Sequence, residues 1–210
     1  FTPISQQTVE QEDKHFLHTT TVLSYREFED LIFTIESYYY PDYAAFDWTI
    51  YYENTSSSEN TPIIEDILAA DMQMQGAKPY LLTNKGDAGR YAAEEFSLEG
   101  KKRIYAPTTG RSTQGAYPYY NLEYGDGGSL IAIGWNGQWE AVFDCRIDDT
   151  THFTAGQQLF RAYLMPGEKM RTPLVAFVRY DGRDIDRATN LWRRWLIDCN
   201  LRKVTDDAQE

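Results

Sequence analysis

The chain has 210 residues, enough for one large domain or two ordinary ones with a core that needs no disulfide staples. Its net charge of −12 is uneven: residues 1–100 hold 18 acids against 5 bases and the remainder 14 against 15, so the basic footprint that nucleic acid requires is missing. No run of about 18 apolar residues offers a membrane span, and 16 tyrosines within an aromatic content of 15% speak for a packed globular domain over a disordered one.

The start, FTPISQQTVEQEDKH, has no basic segment followed by an apolar one, so no signal peptide is visible and the compartment, cytoplasmic or secreted, stays open. From Phe16 to about Glu53 the chain reads as strands. Thr, Val, Ile, Phe and Tyr crowd HTTTVLSYREFEDLIFTIESYYY and YAAFDWTIYYEN, with Pro41-Asp42 between them. ENTSSSENTP is a loop by composition; PIIEDILAADMQM fits a short helix or a strand, with strand favoured.

From Ala77 to Gly115, Lys78-Pro79, Asn84, Gly86, Gly89, Gly100, Pro107 and Gly110 predict a long excursion over the surface, the kind of segment that often carries binding residues. Strands resume at PYYNLEYGDGGSLIAIGW and around AGQQLFRAYLMPGEKMRTPLVAFVRY, with Pro166-Gly167 as a turn. Leu174 to Val178 is apolar on both alternations, as in a strand covered on both faces. Beyond Asp181-Gly182, Asp184 is placed to cap a helix in which Ile185, Ala188, Leu191, Trp192, Trp195 and Leu196 recur at helical spacing. Arg187, Arg193 and Arg194 fall on its solvated side.

GWNGQWEA, Gly134 to Ala141, carries the most specific local signal. An Asn-Gly pair between alternating apolar runs predicts a hairpin with a type I′ turn, which needs positive φ at both central residues. Trp135 then pairs with Gln138 and Gly134 with Trp139. Trp139, Ala141 and Phe143 share the core face, with the indole of Trp139 filling the space over Gly134, while Trp135 joins Gln138 and Glu140 on the other face. A tryptophan so placed is an interface anchor, a sugar platform or a ring covered by a neighbouring loop.

Catalytic chemistry is hard to read from the residues. Glycoside hydrolysis needs two carboxyl groups across a cleft, and with 32 acids any pair can be nominated, so nomination decides nothing. Asp126 in YGDGG and Glu168 in PGEK read as turn residues. His15 and His18 are three apart in a strand-like context and would point to opposite faces, which argues against a metal. Cys145 and Cys199 match no zinc spacing and read as two buried thiols. No GxSxG or GxxxxGK[ST] occurs, and no metal or cofactor is expected.

Three stretches, taken in order, carry a resemblance: FDWTIYYENTSSSENTPIIEDI, GRSTQGAYPYYNLEYGDGGSLIAIGWNGQWEA and LMPGEKMRTPLVAFVRYDGRDIDRATNLWRRW. From about Val22 to Leu201 the chain resembles the N-terminal β-supersandwich domain of glycoside hydrolase family 36, the α-galactosidase or melibiase group. The resemblance implies a mainly β fold, a large antiparallel β-sandwich of the galactose-mutarotase-like supersandwich type over residues 1–183. Residues 184–210 would be a connector helix and tail leading to a (β/α)8 catalytic barrel of the same polypeptide. It also implies that the catalytic aspartates lie on that barrel and that homo-oligomers form. The helix tryptophans would pack against a neighbouring domain. Lys85-Gly86-Asp87 copies the letters of the family's nucleophile motif but sits in a glycine loop, so no role is carried over, and no catalytic residue is expected in this chain.

The residues themselves nominate Trp135, Gln138, Tyr117, Tyr119 and Asn121 as substrate-binding or interface positions, and the resemblance implies a galactoside as the ligand. Two functions compete: a non-catalytic domain supporting a barrel, its substrate entrance or an oligomer interface, and a stand-alone carbohydrate-binding module that stacks sugars on exposed Trp and Tyr. A complete enzyme of the mutarotase type would need a histidine and a carboxylate in one cleft, and three histidines make that the weakest reading.

Overall fold

The alternating Thr, Tyr and Ile of the first fifty residues form a meander. In the computed structural model, which describes residues 2–87 and 90–201, β1 (Pro3–Glu12), β2 (Leu17–Tyr25), β3 (Phe28–Tyr40) and β4 (Ala45–Asn54) pair antiparallel in chain order. The proline break is a 3-10 turn, Pro41–Tyr43, closed by Ala44 at a φ of 45°. The ENTSSSENTP loop is held by Asn54, whose Nδ2 donates to the carbonyls of Glu59 (2.8 Å) and Leu164 (3.0 Å). Next come β5 (Ile64–Glu65) and β6 (Leu68–Gln75), so the ambiguous PIIEDILAADMQM is extended.

The stretch from Ala77 to Gly115 is more regular than its glycines and prolines suggest. It contains β7 (Tyr80–Asn84), β8 (Ala93–Ser97) and β9 (Lys102–Tyr105), short strands fitted between the breakers. The remaining strands are β10 (Tyr119–Tyr124), β11 (Gly127–Gly134), β12 (Trp139–Asp144), β13 (Thr150–Gln157), β14 (Arg161–Ala162), β15 (Lys169–Arg171) and β16 (Leu174–Asp181). A ten-stranded sheet runs β1-β2-β3-β4-β16-β11-β10-β7-β8, with β15 paired to β4, and a four-stranded sheet runs β6-β13-β12-β9. The molecule is a large antiparallel β-sandwich with one C-terminal helix, α1 (Ile185–Trp195), extended by a π-helical turn, Leu196–Asn200.

The Asn136-Gly137 hairpin is not formed. β11 already has β10 on one edge and β16 on the other, and β12 lies between β13 and β9, so neither has an edge to offer the other. Neither Asn136 nor Gly137 has positive φ, and the segment instead carries the chain from one sheet to the other. A tight two-residue hairpin is instead at Gly125-Asp126, where Gly125 has a φ of 57° and Tyr124 faces Gly127.

Between the sheets lies the main core. Trp139, Phe143 and Phe153 from the small sheet meet Leu81, Tyr120, Ile131, Val175 and Phe177 from the large one. Phe153 and Phe177 cross edge to face at 5.8 Å. Each such side chain, fully buried, stabilises by roughly 1.5–3 kcal/mol. β16 is buried on both faces as its composition implied: Val175 and Phe177 point into the sandwich, and Ala176 and Val178 point outward under the helix. The face claimed for Trp139, Ala141 and Phe143 holds, since all three are fully buried.

Candidate functional site

The outer face of the large sheet is covered by α1 because both present apolar surface. Asp184 caps the helix, its carboxylate accepting from the amides of Asp186 (3.1 Å) and Arg187 (3.0 Å). Leu191, Trp192, Trp195 and Leu196 pack with Tyr40, Ala45, Ala132, Ala176 and Val178, while Arg187, Arg193 and Arg194 are exposed. Trp195 is buried edge-on to Tyr40, with ring centroids 5.6 Å apart. Trp192, one turn earlier, is only half-buried and meets Tyr119 of β10 at 6.0 Å and 87°.

Between Trp192 and the sheet is a cleft of about 270 Å³. Tyr119, Asn121, Leu130, Thr83 and Thr189 line it with Trp192, and no charged side chain does. Tyr119 and Asn121 face outward because they alternate with the inward Tyr120 and Leu122. Tyr117 leans on Tyr119 at 5.2 Å, and Tyr91 meets Tyr117 edge to face at 5.9 Å, which extends the aromatic wall beyond the cleft. Burial, followed by the neighbouring Tyr117, raises the Tyr119 phenol above its ordinary pKa.

Asn121 is 6% exposed, and its Oδ1 accepts a 2.6 Å hydrogen bond from Tyr180 Oη. Its Nδ2 is buried and has no hydrogen-bond partner. An unpaired buried amide donor costs about 1–3 kcal/mol. The cleft therefore combines ring faces, aliphatic surface and uncharged polar groups, a set suited to dispersion and hydrogen bonding. It holds no acid–base pair.

Of the five residues nominated from sequence, the structure brings Tyr117, Tyr119 and Asn121 to this one face. Trp135 and Gln138 have other neighbours. Trp135 rests at the rim of the main core rather than on the face opposite Trp139, with the Arg171 guanidinium 5.1 Å over its ring. Gln138 Nε2 donates to Gln158 Oε1 (3.0 Å) and to the Pro107 carbonyl (3.3 Å). The indole of Trp139 does not lie over Gly134: its Nε1 donates to the Ser112 carbonyl at 3.0 Å, and the space above Gly134 belongs to Leu174. Trp192, Thr189 and Thr83 were not nominated. In sequence, Trp192 and Trp195 repeat at helical spacing and look like equivalent core residues; only the fold separates a buried indole from a half-exposed one.

Several ionisable groups elsewhere have partners within the fold. Burial raises the Asp47 carboxyl to about 6, against a smaller opposing contribution from the Tyr40 hydroxyl that hydrogen-bonds it. His18 Nε2 lies 3.0 Å from Glu36 Oε2 with its ring stacked on Tyr38, and His152 meets Asp71 at the surface. Among the described residues no group of three or more His, Cys, Asp or Glu is arranged to hold a metal ion. Cys145 is buried, Sγ 3.1 Å from Thr151 Oγ1, whereas Cys199 is half-buried under the helix turn, not sealed as expected. Gly86 has a φ of 66° and Asp87 N bonds the Thr113 carbonyl, so the Lys85-Gly86-Asp87 run is a loop.

No family model matches the sequence, and no curated protein matches it. Solved structures do. An α-galactosidase from Lactobacillus brevis aligns with a TM-score of 0.74 at 13% identity, covering 91% of this chain and 26% of that one. A variant of the glycoside hydrolase family 36 α-galactosidase AgaA from Geobacillus stearothermophilus, in complex with stachyose, aligns at 0.77 and 17% identity over 97% of this chain and 29% of its own. The α-N-acetylgalactosaminidase NagBb from Bifidobacterium bifidum aligns at 0.55 and 11% identity, covering 94% and 31%. The chain thus spans less than a third of the length of these enzymes. At such identities the likeness is one of fold, that of the N-terminal supersandwich domain of family 36 α-galactosidases.

Proposed function

We propose that this chain is the N-terminal, non-catalytic domain of a larger α-galactosidase-like glycoside hydrolase of family 36. The observation that carries this reading is the coverage: 91% and 97% of this chain aligns, but only 26% and 29% of the two α-galactosidases. Residues 1–183 are the supersandwich and 184–210 the connector and tail, residues 202–210 lying outside the described ones. The partner is a (β/α)8 barrel in the same polypeptide, which supplies the catalytic carboxylates and acts on a galactoside.

Within this reading α1 is a rigid lead into the barrel, pinned to the sheet by Trp195. Trp135, with Arg171 across its ring, and Gln138 belong to the surface offered to the barrel's substrate entrance or to a second copy of the polypeptide. The test is to read the coding sequence beyond residue 210 and assay the whole polypeptide on p-nitrophenyl α-galactoside, beside the 210-residue chain. Turnover by the whole and none by the chain is expected. A whole polypeptide without barrel sequence, or turnover by the chain alone, overturns the proposal.

A further inference from the structure

The cleft between α1 and the outer face of the large sheet has the properties of a ligand site in its own right. Its two aromatic walls, Tyr119 and Trp192, stand at 87° and form a corner, with Leu130 as apolar floor. A ring with one apolar face and hydroxyls at its edges matches such a corner, the apolar face on one aromatic and its edge against the other. The volume of about 270 Å³ lies just under the ~300–1,000 Å³ typical of pockets for drug-sized ligands, a size suited to one six-membered sugar ring.

The polar groups narrow the ligand further. Thr189 and Asn121 both donate and accept, Thr83 Oγ1 gives its proton to the Tyr119 carbonyl (3.0 Å) and keeps only acceptor capacity, and no charged side chain lines the cleft, so phosphates and carboxylates find no counter-charge. Asn121 provides the second, independent observation. Its residue is 94% buried by the 6% exposure, its Oδ1 is satisfied by Tyr180, and its Nδ2 has no partner. Asn121 lines the cleft, its Nδ2 is sealed from solvent as the side chain stands, and a ligand oxygen reaches it by rotation about the soft terminal amide torsion. A ligand hydroxyl that accepts from Nδ2 removes the penalty of the orphaned donor.

We infer that this cleft binds a single neutral pyranose, stacked on Trp192 or Tyr119 with one ring hydroxyl accepting from Asn121 Nδ2. This goes beyond the role proposed above and does not depend on a barrel following in the polypeptide.

The probes are methyl α-galactopyranoside and methyl α-glucopyranoside, titrated into the 210-residue chain and followed by saturation-transfer NMR and by the indole N–H signals. Millimolar binding is expected, with saturation of the sugar ring protons and a shift of the Trp192 indole signal. Thr189→Trp fills the cleft from an exposed helix position, so folding is unaffected, and binding should be lost. Asn121→Leu should weaken it about tenfold, the loss of one buried hydrogen bond. Asn190→Ala, an exposed position on the same helix that does not line the cleft, should leave it unchanged. No saturation transfer with either sugar at about 50 mM, or binding that survives Thr189→Trp, overturns the inference. Either failure leaves the coding-sequence test of the larger enzyme untouched, so the two proposals fail separately.

Discussion

Tyr180 and Asn121 are joined by a 2.6 Å hydrogen bond although their strands do not touch: β11 runs between β16 and β10, and the phenol reaches across it. The crossing is open because Gly128 stands in the way with no side chain. A Cβ there would lie 2.4 Å from Tyr180 Oη and 2.7 Å from the Leu122 carbonyl. Gly128→Ala should therefore destabilise the fold by about 2 kcal/mol or more, through overpacking and a broken buried hydrogen bond. The double variant Gly128→Ala with Tyr180→Phe should recover little, because the Leu122 backbone cannot move aside. Chemical denaturation of the single and double variants measures both.

Asp47 gives the outer core a dependence on pH. It is 6% exposed, with Tyr38 opposite it on β3 and Tyr40 hydrogen-bonded to it, and its pKa in the fold is about 6 against an ordinary 3.8. The folded state therefore favours the protonated acid. This contribution is fully present below pH 3.8, fades as pH rises and is lost above about 6. Asp47→Asn should be more stable than the parent at pH 7 by roughly 3 kcal/mol, given about 1.4 kcal/mol per tenfold change in proton affinity. The gap should close as pH falls toward 4. Thermal melts of the pair from pH 4 to 7 test the sign: a constant difference across the range would refute the assignment.

The two tryptophans of the sheet-to-sheet connection should differ sharply when truncated. Trp139 is fully buried and donates to the Ser112 carbonyl, so Trp139→Ala should cost about 3–5 kcal/mol. Trp135 is half-buried at the rim under Arg171, a contact in the range of about 1 kcal/mol, and Trp135→Ala should cost not much more. Urea unfolding midpoints for the two variants give the comparison directly.

Asp184 should contribute about 1 kcal/mol through its cap, since two helix amides lose their acceptor in Asp184→Ala. Asp184→Ser should recover most of it. Hydrogen exchange localised to 185–195 would show the helix end loosening while the sandwich amides stay protected.

The sequence made some of this architecture legible and hid the rest for physical reasons. The β-branched and aromatic composition of β3 and β4, the two-faced burial of β16 and the Asp184 cap are local properties, and they were readable as such. The Asn136-Gly137 hairpin failed because a turn signal reports what two residues tolerate, whereas strand pairing is decided by which edges are vacant. β11 finds one of its two partners in β16, with Ile131 facing Phe177 46 positions on, and that is invisible in a window of eight residues. β7, β8 and β9 are four or five residues long and lie between glycines and prolines, so punctuation masked them. The cleft was half readable. Tyr119 and Asn121 stand out as an alternating aromatic and amide, but Trp192 reaches them only because the helix folds back over the sheet.

The position of β16 also governs the order in which the molecule can be assembled. It is the strand that joins β1–β4 to β11, β10, β7 and β8 within the large sheet, and it follows the other fifteen strands of the sandwich in chain order. Until residues 174–181 have left the ribosome, any pairing formed within β1–β4 and among β7, β8, β10 and β11 lacks β16 at the edges of β4 and β11. Pairing Phe46 with Phe177, 131 residues apart, closes the gap late and slowly. During that interval the unpaired edges of β4 and β11 are the surfaces on which mispairing between neighbouring nascent chains would begin.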